Sequence, residues 1–292
     1  MINLQNISFG YKKNAWSRSY VPLFESLDFQ MEAGNIYGLL GKNGAGKTTL
    51  LKIIAGLLFP KAGETNVMGF TPKDRHPDFL ADLYFIHEEM YVPDLTVTAY
   101  ENLYAPFYPR FDHAQFDAHL NEFGLTKDKK MKTFSYGQKK KVLLSFGLAS
   151  NCRLLILDEP TNGLDIPSKS QFRKLLATSI TDDRAFIIST HQVRDMSNLI
   201  DPIIILENGK IIFQENIMDI MKKLSFSIQN NPSESSETLY SERVPGGYRI
   251  VSENLDGDET DVDIEALFNT VVTNKEKMNN LFKNIKKSKS TF

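Results

Sequence analysis

The 292-residue sequence predicts an α/β fold in which helices cover both faces of a parallel sheet. Short apolar runs rich in isoleucine and leucine lack the polar alternation of half-exposed strands, and such runs are typical of strands buried on both faces. Helical patterns lie between them, and strands that alternate with helices indicate a layered α/β architecture. The runs that predict strands are IYGLL (36–40), LLIL (154–157), AFIIS (185–189) and IIIL (203–206).

The segment from about residue 88 to 150 differs from this pattern, because it contains several helical patterns and no convincing strand. Asp112 is a plausible N-cap, and Phe116, Leu120 and Phe123 then fall on one helical face. Gly124 follows at a position where glycine commonly ends a helix. We therefore expect a helical subdomain inserted into the α/β core.

The composition changes after Leu224, where SFSIQNNPSESSETLY predicts a linker or the start of a hairpin. RVPGGYRIV (243–251) predicts two short strands around a Pro-Gly-Gly turn. IEALFNTVV predicts a short helix, and KKSKSTF predicts a frayed tail. The sequence thus divides into a main domain of residues 1–224 and a small α+β C-terminal appendage of residues 225–292.

Composition and charge exclude several classes of protein. The formal net charge of -2 gives no electrostatic reason to expect nucleic-acid binding. Cys152 is the only cysteine, so no intramolecular disulfide can form and a reducing compartment is expected. The first residues lack a signal-peptide pattern, and no run approaches the roughly 20 apolar residues that cross a bilayer. We expect a cytosolic chain that acts at a membrane only through a partner.

GKNGAGKTT (41–49) matches the phosphate-loop pattern G-x-x-x-x-G-K-[ST] between a predicted strand and a predicted helix. Glycines allow backbone N–H groups to point inward and form an anion site at the helix N-terminus. We expect Lys47 to reach the β- and γ-phosphates and Thr48 to ligate Mg²⁺. The pattern predicts a P-loop NTPase core of the RecA-like type. Its predicted ATP-binding residues are Gly41, Asn43, Gly44, Ala45, Gly46, Lys47, Thr48 and Thr49.

LLILDEP supplies a second element of the same site. A buried strand that ends in Asp158 can place a carboxylate beside the metal ion of a P-loop NTPase. Glu159 comes next and points differently, toward the position of an attacking water. Adjacent carboxylates could instead cap a helix, but the complete phosphate loop favours metal binding and water activation. We therefore predict hydrolysis of ATP with Mg²⁺ as cofactor.

Other short motifs occur in a fixed order along residues 1 to about 224. They are SFGYKKN with Tyr11, FIHEE with Glu88, SYGQ from Ser135 to Gln138, LDEPTNGLD with Asp165 at its end, and STH with His191. In this order they resemble the nucleotide-binding subunit of an ABC transporter, of the bacterial exporter type. SYGQ is similar to the family signature LSGGQ. The resemblance implies an N-terminal antiparallel β subdomain in front of the P-loop core.

The resemblance also implies roles for these motifs. Two nucleotide-binding domains would meet head to tail, so that the signature of each caps the ATP held by the other. A phosphate lid in trans would be formed by Ser135, Tyr136, Gly137 and Gln138. Asp165 would link the two sites, and His191 would be a switch histidine that steadies the γ-phosphate. Glu88 would occupy the Q-loop position, with catalytic and metal roles.

Three positions depart from the family pattern or have rivals. Tyr11 matches the aromatic residue that stacks on adenine, but Trp16 and Tyr20 are alternatives. Glu88 replaces the usual glutamine and adds negative charge beside the phosphates. Tyr136 replaces a glycine and must point away from the phosphates if the lid is to close. The lysines KKK after SYGQ are expected to lie mostly in solvent.

The resemblance implies an ATP-binding and ATP-hydrolysing subunit that powers transport, with export expected, through a separate transmembrane permease subunit. The helical insert and the Q-loop are the expected docking surface, and the chain would lie on the inner face of the cell membrane. It would form a homodimer or a heterodimer of ATP-binding domains. The alternative is a non-transport ABC ATPase that acts as a soluble mechanochemical or assembly factor. The sequence lacks the sustained heptads of the DNA-repair members.

Overall fold

The computed structural model describes residues 1–14, 19–192, 195–196, 198–231, 237–257 and 260–289, with side chains described as far as residue 282. The strands are β1 Ile2–Lys12, β2 Tyr20–Met31, β3 Ile36–Leu40, β4 Ala62–Val67, β5 Leu83–Ile86, β6 Leu154–Asp158, β7 Ala185–Thr190, β8 Ile203–Glu207, β9 Lys210–Glu215, β10 Leu224–Gln229, β11 Thr238–Val244 and β12 Gly247–Glu253. The α-helices are α1 Lys47–Ile54, α2 Pro77–Ala81, α3 Val97–Tyr104, α4 His113–Glu122, α5 Tyr136–Ala149, α6 Ile166–Ser179, α7 Ile217–Lys223, α8 Ile264–Thr273 and α9 Lys275–Lys289.

The central sheet has the strand order β5-β6-β7-β3-β8-β9, in which β9 is antiparallel and the other neighbours are parallel. All four apolar runs predicted as strands are strands of this sheet, and the residues of β3, β6 and β7 are buried along their whole length. The carboxyl ends of β6, β7 and β3 are neighbours at one edge. In open α/β sheets this edge is where ligands bind.

An antiparallel sheet of order β2-β1-β4 packs on one side of the core, as expected for the N-terminal subdomain. Its apolar residues, among them Ile7, Phe24 and Phe29, form one hydrophobic cluster with Leu50 and Ile53 of α1. The cluster fixes α1, and with it the loop that precedes α1, against the sheet. β1 ends close to that loop and carries Tyr11 to it.

Residues 88–150 contain helices and no strand, in agreement with the expected helical insert. Helix α4 begins at the predicted N-cap, where Asp112 Oδ1 accepts a hydrogen bond of 2.9 Å from the N–H of Gln115. Such a cap stabilises a helix by about 1 kcal/mol. Phe116 on the buried face of α4 contacts Phe146 of α5, with ring centroids 5.7 Å apart. Gly124 follows with a φ of 65°, the left-handed conformation that ends many helices.

The C-terminal residues form an antiparallel sheet of order β10-β12-β11 with α8 and α9. The predicted turn is present, since Val244 pairs with Gly247. Of the two alternatives for the segment after Leu224, the linker is wrong at residues 225–229, which form a strand, and the start of a hairpin is confirmed by β11, which pairs with β12. The expected frayed tail is wrong as far as Lys289, where α9 ends. Met278 and Phe282 explain the start of α9, because they are buried on one face at helical spacing.

The C-terminal sheet and helices share a hydrophobic core with the main domain. Phe282 of α9 contacts Phe213 of β9, with ring centroids 5.1 Å apart. Val251 and Leu267 belong to the same buried cluster as Leu224. The boundary near residue 224 stays a prediction. In the part of the chain that the structure describes, no helix combines the length and the apolarity needed to span a bilayer.

Candidate functional site

The loop of residues 41–46 joins β3 to α1 and is the phosphate loop predicted from the sequence. Gly44 and Gly46 have φ angles of 81° and 109°, a conformation that glycine adopts without steric strain. A Cβ atom on Gly41 would lie 2.5 Å from the carbonyl oxygen of Leu206. The loop ends at the N-terminus of α1, where free N–H groups and the helix dipole favour an anion. The geometry therefore fits the phosphates of a nucleotide.

Lys47 is buried beside this loop, with its ammonium group folded back onto the backbone. Nζ donates to the carbonyl oxygens of Gly41, at 2.7 Å, and Lys42, at 3.4 Å. Burial lowers the pKa of Lys47, while the carboxylates of Glu159 and Asp158 raise it. The ammonium thus lies between the phosphate loop and the acidic edge of the sheet, where it can reach a phosphate group.

Thr48 and Asp158 meet at the carboxyl edge of the sheet. Thr48 Oγ1 donates a hydrogen bond of 2.8 Å to Asp158 Oδ2, and Ser189 donates to the other carboxylate oxygen. Among the described residues, no three His, Cys, Asp or Glu side chains are grouped to hold a metal ion. Mg²⁺ in nucleotide sites characteristically takes one or two carboxylates together with substrate phosphates. The hydroxyl and carboxylate oxygens of Thr48 and Asp158 therefore fit Mg²⁺ bound with a nucleotide.

Glu159 and His191 are paired directly. Glu159 Oε1 lies 2.7 Å from His191 Nδ1, and the backbone N–H of His191 donates to Glu159 Oε2 at 3.4 Å. Glu159 is 4% exposed and has a φ of 47°, a left-handed conformation that is uncommon outside glycine. Its N–H donates to the carbonyl oxygen of Ser189 on the neighbouring strand. Strained residues of this kind occur often at active sites, where the surrounding structure holds them.

A cleft of about 470 Å³ lies beside these groups. Tyr11 borders it, is 48% exposed, and has its hydroxyl 2.8 Å from Thr49 Oγ1. Tyr20 faces elsewhere, because the ammonium of Lys61 covers its ring at 2.8 Å from the centroid. Trp16 lies outside the described residues. Of the phosphate-loop residues, Gly41 and Ala45 are buried behind the cleft, and those that line it are Lys42, Asn43, Gly44, Gly46, Lys47, Thr48 and Thr49.

The signature SYGQ forms the N-terminus of α5. Ser135 is the N-cap: its Oγ accepts from the N–H of Gln138 at 3.3 Å, and Gln138 Oε1 accepts from the N–H of Ser135 at 3.0 Å. This reciprocal capping box holds the first turn rigid. A Cβ atom on Gly137 would lie 2.7 Å from the carbonyl oxygen of Gly163. The absence of a side chain therefore permits close contact with the D-loop, the segment that follows the acidic strand β6 and ends in Asp165.

Tyr136 points into its own chain. Its hydroxyl donates a hydrogen bond of 2.8 Å to the carbonyl oxygen of Glu88. The ring packs on Gly163, where an added Cβ atom would lie 2.5 Å from Tyr136 Cδ1. The larger residue in place of the family's glycine therefore joins the Q-loop to the D-loop.

The prediction that the lysines after SYGQ lie in solvent is wrong for Lys140. Lys140 is 0% exposed, and its Nζ donates to the carbonyl oxygens of Glu159, at 2.7 Å, and Asn162, at 3.0 Å. Burial lowers its pKa to about 8, against the opposing effect of Glu88 and Glu159. The burial follows from position, because Lys140 lies one turn after Tyr136 on the face of α5 that packs on the D-loop.

Sequence reasoning also missed Asn162, which connects the remaining parts of the site. Asn162 Nδ2 donates to Glu88 Oε1 at 2.9 Å, and Asn162 Oδ1 accepts from Gln192 Nε2 at 3.2 Å. Glu88 borders the cleft, so a D-loop side chain holds the carboxylate that replaces the family's glutamine. The pattern gave no signal for this, because the pairing is long-range.

Asp165 lies at the end of the D-loop and caps α6. Its Oδ1 accepts from the N–H of Ser168 at 2.9 Å, and hydrogen bonding to Ser168 lowers the pKa of the carboxyl. The carboxylate is thus used within its own chain. Its suggested link between two sites stays a prediction.

Comparison with known proteins agrees with this geometry. Residues 24–162 match the model of the ABC transporter family. The SkfA peptide export ATP-binding protein SkfE of Bacillus subtilis (strain 168) is 31% identical over 221 residues, which cover 73% of this chain and 87% of that protein. The arabinose import ATP-binding protein AraG 1 of Burkholderia ambifaria is 31% identical over 251 residues, which cover 81% of this chain and 50% of that protein.

A solved structure shares the fold. It is the structure of an ATP binding subunit of an ABC transporter, and it superposes on this chain with a TM-score of 0.67. The superposition covers 75% of this chain and 91% of that chain, at 26% sequence identity. The matched region includes the phosphate loop, the acidic strand and the start of the D-loop. The chain therefore belongs to the ATP-binding proteins of ABC transporters, and it is an ATPase.

Proposed function

We propose that this chain powers export of a substrate through a separate transmembrane permease subunit, while lying on the cytoplasmic face of the membrane. ATP binding by two such domains closes a dimer, and hydrolysis reopens it. The likeness to a peptide export ATP-binding protein supports export, although an arabinose import protein is equally similar. The observation that carries the proposal is an apolar groove between β5 and the helical insert, lined by the residues on either side of Glu88, which itself borders the ATP cleft.

This docking groove, of about 300 Å³, lies between the segment after β5 and helices α3 and α5. Phe85, Tyr104 and Leu143 line it, and Tyr91 at its rim is 85% exposed. Exposed apolar surface at a groove is typical of a protein interaction site. We assign this groove to an apolar helix at the cytoplasmic end of the permease.

The groove connects to the catalytic residues through the Q-loop. Glu88 lies three residues before Tyr91, and its carbonyl and carboxylate accept from Tyr136 and Asn162. A permease helix that presses on Tyr91 would therefore move residues that contact the D-loop. This connection is the physical basis for coupling hydrolysis to transport.

Binding of ATP uses the phosphate loop and Lys47. The N–H groups of the loop and the α1 N-terminus donate hydrogen bonds to the phosphates, and the Lys47 ammonium binds the β- and γ-phosphates. Thr48 and Asp158 would hold Mg²⁺, which when bound neutralises charge on the phosphates. Tyr11 would stack on adenine, since it borders the cleft while the ring of Tyr20 is covered by Lys61.

Hydrolysis uses Glu159 and His191. Glu159 accepts a proton from the attacking water or orients it, because its carboxylate is buried at the edge of the cleft. His191, 2.7 Å from that carboxylate, orients Glu159 and donates to the γ-phosphate as negative charge builds on it. Groups placed in this way by a rigid sheet edge need little rearrangement to reach the transition state.

The second half of each site comes from the partner subunit's copy of SYGQ. Ser135 at the exposed N-terminus of a 14-residue helix offers a hydroxyl and backbone N–H groups to the γ-phosphate. Tyr136 does not block the approach, because its ring is folded onto Gly163 of its own chain. Asp165 would face the partner across the interface.

The alternative, a non-transport ABC ATPase, has less support. The DNA-repair members insert long coiled coils, whereas the longest helix among the described residues, α9, has 15 residues. A soluble assembly factor would also have no use for an exposed aromatic groove on the insert.

The test co-expresses the chain with a candidate transmembrane permease. Tyr91→Asp should abolish co-purification with the permease, because it places a charge in the apolar groove. Met218→Asp is the matched control, since Met218 is 67% exposed and lies on α7, outside the groove. Equal ATP affinity in both variants shows that both are folded. Retention of the complex by Tyr91→Asp would contradict the docking assignment.

Direction is tested in proteoliposomes with the ATPase facing outward. ATP-driven accumulation of a candidate substrate in the lumen indicates export, because the outside then corresponds to the cytoplasm. ATP-driven loss from preloaded vesicles indicates import and would overturn the proposed direction.

A further inference from the structure

Lys140 is a buried cation on the face of α5 that packs on the D-loop. Its side chain is 0% exposed, and its ammonium forms no ion pair with any described residue. Burial of a charged group is unfavourable unless hydrogen bonds compensate for lost water. The partners of this ammonium are two backbone carbonyls and the face of Tyr136, whose ring centroid lies 5.2 Å from Nζ.

The two carbonyls stand at the ends of one tight turn. Glu159 begins the turn in its left-handed conformation, and the N–H of Asn162 donates to the carbonyl oxygen of Glu159 at 3.3 Å. Lys140 Nζ binds that same oxygen at 2.7 Å and the oxygen of Asn162 at 3.0 Å. The ammonium therefore fixes both ends of the turn that carries the Glu159 side chain.

The conformation of this turn decides where the Glu159 carboxylate lies. A residue in the left-handed region relaxes toward negative φ when its surroundings no longer hold it. Rotation of that backbone would move the carboxylate away from His191, which it contacts at 2.7 Å. A displacement of about 1 Å at a catalytic group can lower turnover on the order of 100-fold.

We propose that Lys140 is a positioning residue for ATP hydrolysis, because its ammonium holds the carbonyls of Glu159 and Asn162 and so keeps the Glu159 carboxylate in its working place. This inference rests on the proposed role of Glu159. Through Lys140, helix α5, which begins with the signature, is hydrogen-bonded directly to the turn that carries Glu159 in its own chain.

The test compares Lys140→Met with Lys141→Met. Methionine keeps an unbranched apolar stem and a good helix propensity but removes the ammonium. Lys141 is the next residue on α5, is half-buried, and its Nζ lies 5.7 Å from the ring centroid of Phe123. It therefore serves as a matched control for the same substitution on the same helix.

We expect Lys140→Met to lower kcat by roughly 10- to 100-fold while the Kd for ATP changes by less than about threefold, since Lys140 does not line the cleft. Lys140→Arg, which keeps the charge and the donors, should recover part of the lost kcat. Lys140→Gln, which keeps one donor group, provides a second test if methionine prevents folding. The inference is overturned if no folded variant at position 140 loses kcat, or if kcat and ATP affinity fall together.

A double-mutant cycle separates a positioning role from a general structural one. If Lys140 acts through the Glu159 carboxylate, Lys140→Met should cause no further loss in a Glu159→Gln background. Independent, multiplied losses would overturn the inference. Near-normal turnover of Glu159→Gln alone would instead contradict the proposed role of Glu159, so failure of the two proposals can be told apart.

Discussion

The phosphate loop and the first turns of α5 each bury a lysine whose ammonium binds two backbone carbonyls, yet the two lysines face different targets. Lys47 binds the carbonyls of Gly41 and Lys42 and lines the nucleotide cleft. Lys140 binds the carbonyls of Glu159 and Asn162 and is covered completely by its own chain. The same chemistry would thus serve ligand binding in one region and internal support in the other.

The difference shows that Lys140 is recognised as a functional candidate by its burial in the structure, and not by a sequence motif. A conspicuous pattern surrounds Lys47, whereas Lys140 lies in a run of three lysines that is typical of an exposed helix face. Both cations have lowered pKa values because of burial, opposed by the same acidic groups at the carboxyl edge of the sheet. Perturbed ionisable groups cluster at functional sites, and here they point to both regions.

The largest expected effect tests the Glu159 carboxylate, which opposes the effect of burial by raising the pKa of both lysines. Glu159→Gln should lower kcat by about 10²- to 10⁴-fold, because an amide cannot accept the proton of the attacking water. ATP binding should persist, since Lys47 and the phosphate loop are unchanged, and a closed dimer should accumulate with ATP. Steady-state ATPase assays and light scattering measure both properties. Turnover near the wild-type rate would contradict the assignment of Glu159.

The next prediction asks whether α5 acts on its own nucleotide or on the partner subunit's. Ser135→Asp keeps a good N-cap but adds negative charge where the γ-phosphate is expected. A Lys47→Ala chain lacks the phosphate ligand. Neither variant alone should form an ATP-dependent dimer, whereas their mixture should, because each heterodimer retains one composite site with both elements intact.

The control is Ser135→Asn, which also caps a helix but is neutral, and which should dimerise with ATP by itself. Size-exclusion chromatography with differently tagged chains measures the mixed dimer. A mixture that never dimerises would remove the support for a signature that acts in trans.

Much of the fold was predictable from local pattern. The four buried strands and the cap of α4 by Asp112 follow from apolar runs and a capping residue, which are local signals. The linker expected after Leu224 is wrong for residues 225–229, because β10 is half-buried and its pairing with β12 joins residues far apart in sequence. The end of α9 was missed, because terminal lysines suggested fraying.

The same distinction between local and long-range signals applies to the candidate site. The phosphate loop and the DE pair carry their chemistry in adjacent residues, so spacing reveals them. The bonds of Asn162 to Glu88 and of Lys140 to Glu159 join parts of the chain that only the fold brings together. No single-sequence pattern encodes such contacts.

A pH titration of stability should distinguish Lys140 from the lysines around it. Burial lowers its pKa from the ordinary 10.5 to about 8, so between these pH values the unfolded chain binds more protons than the folded one. The free energy of unfolding should therefore rise with pH in this window, by up to about 3 kcal/mol relative to Lys140→Met. The acidic groups that face Lys140, namely Glu88, Glu159 and Asp158, are the same in wild type and Lys140→Met.

Denaturant unfolding of wild type and Lys140→Met between pH 7 and 10.5 measures this difference. Buried tyrosines with raised pKa values, such as Tyr84, affect both proteins alike and cancel in the comparison. Lys141→Met should follow the wild-type curve. Parallel curves for all three proteins would contradict the charged, buried state assigned to Lys140.

The smallest expected effect concerns the other link between α5 and the catalytic residues. Tyr136→Phe removes the hydroxyl that donates to the Glu88 carbonyl but keeps the ring on Gly163. Because Tyr136 is partly exposed and water can replace the bond, the free energy of unfolding should fall by only about 0.5–1 kcal/mol. The value of kcat should change by less than about threefold, since Lys140 still holds the Glu159 turn. Urea unfolding and ATPase assays measure both. A larger loss of kcat would mean that the Tyr136–Glu88 bond positions the Glu159 turn together with Lys140.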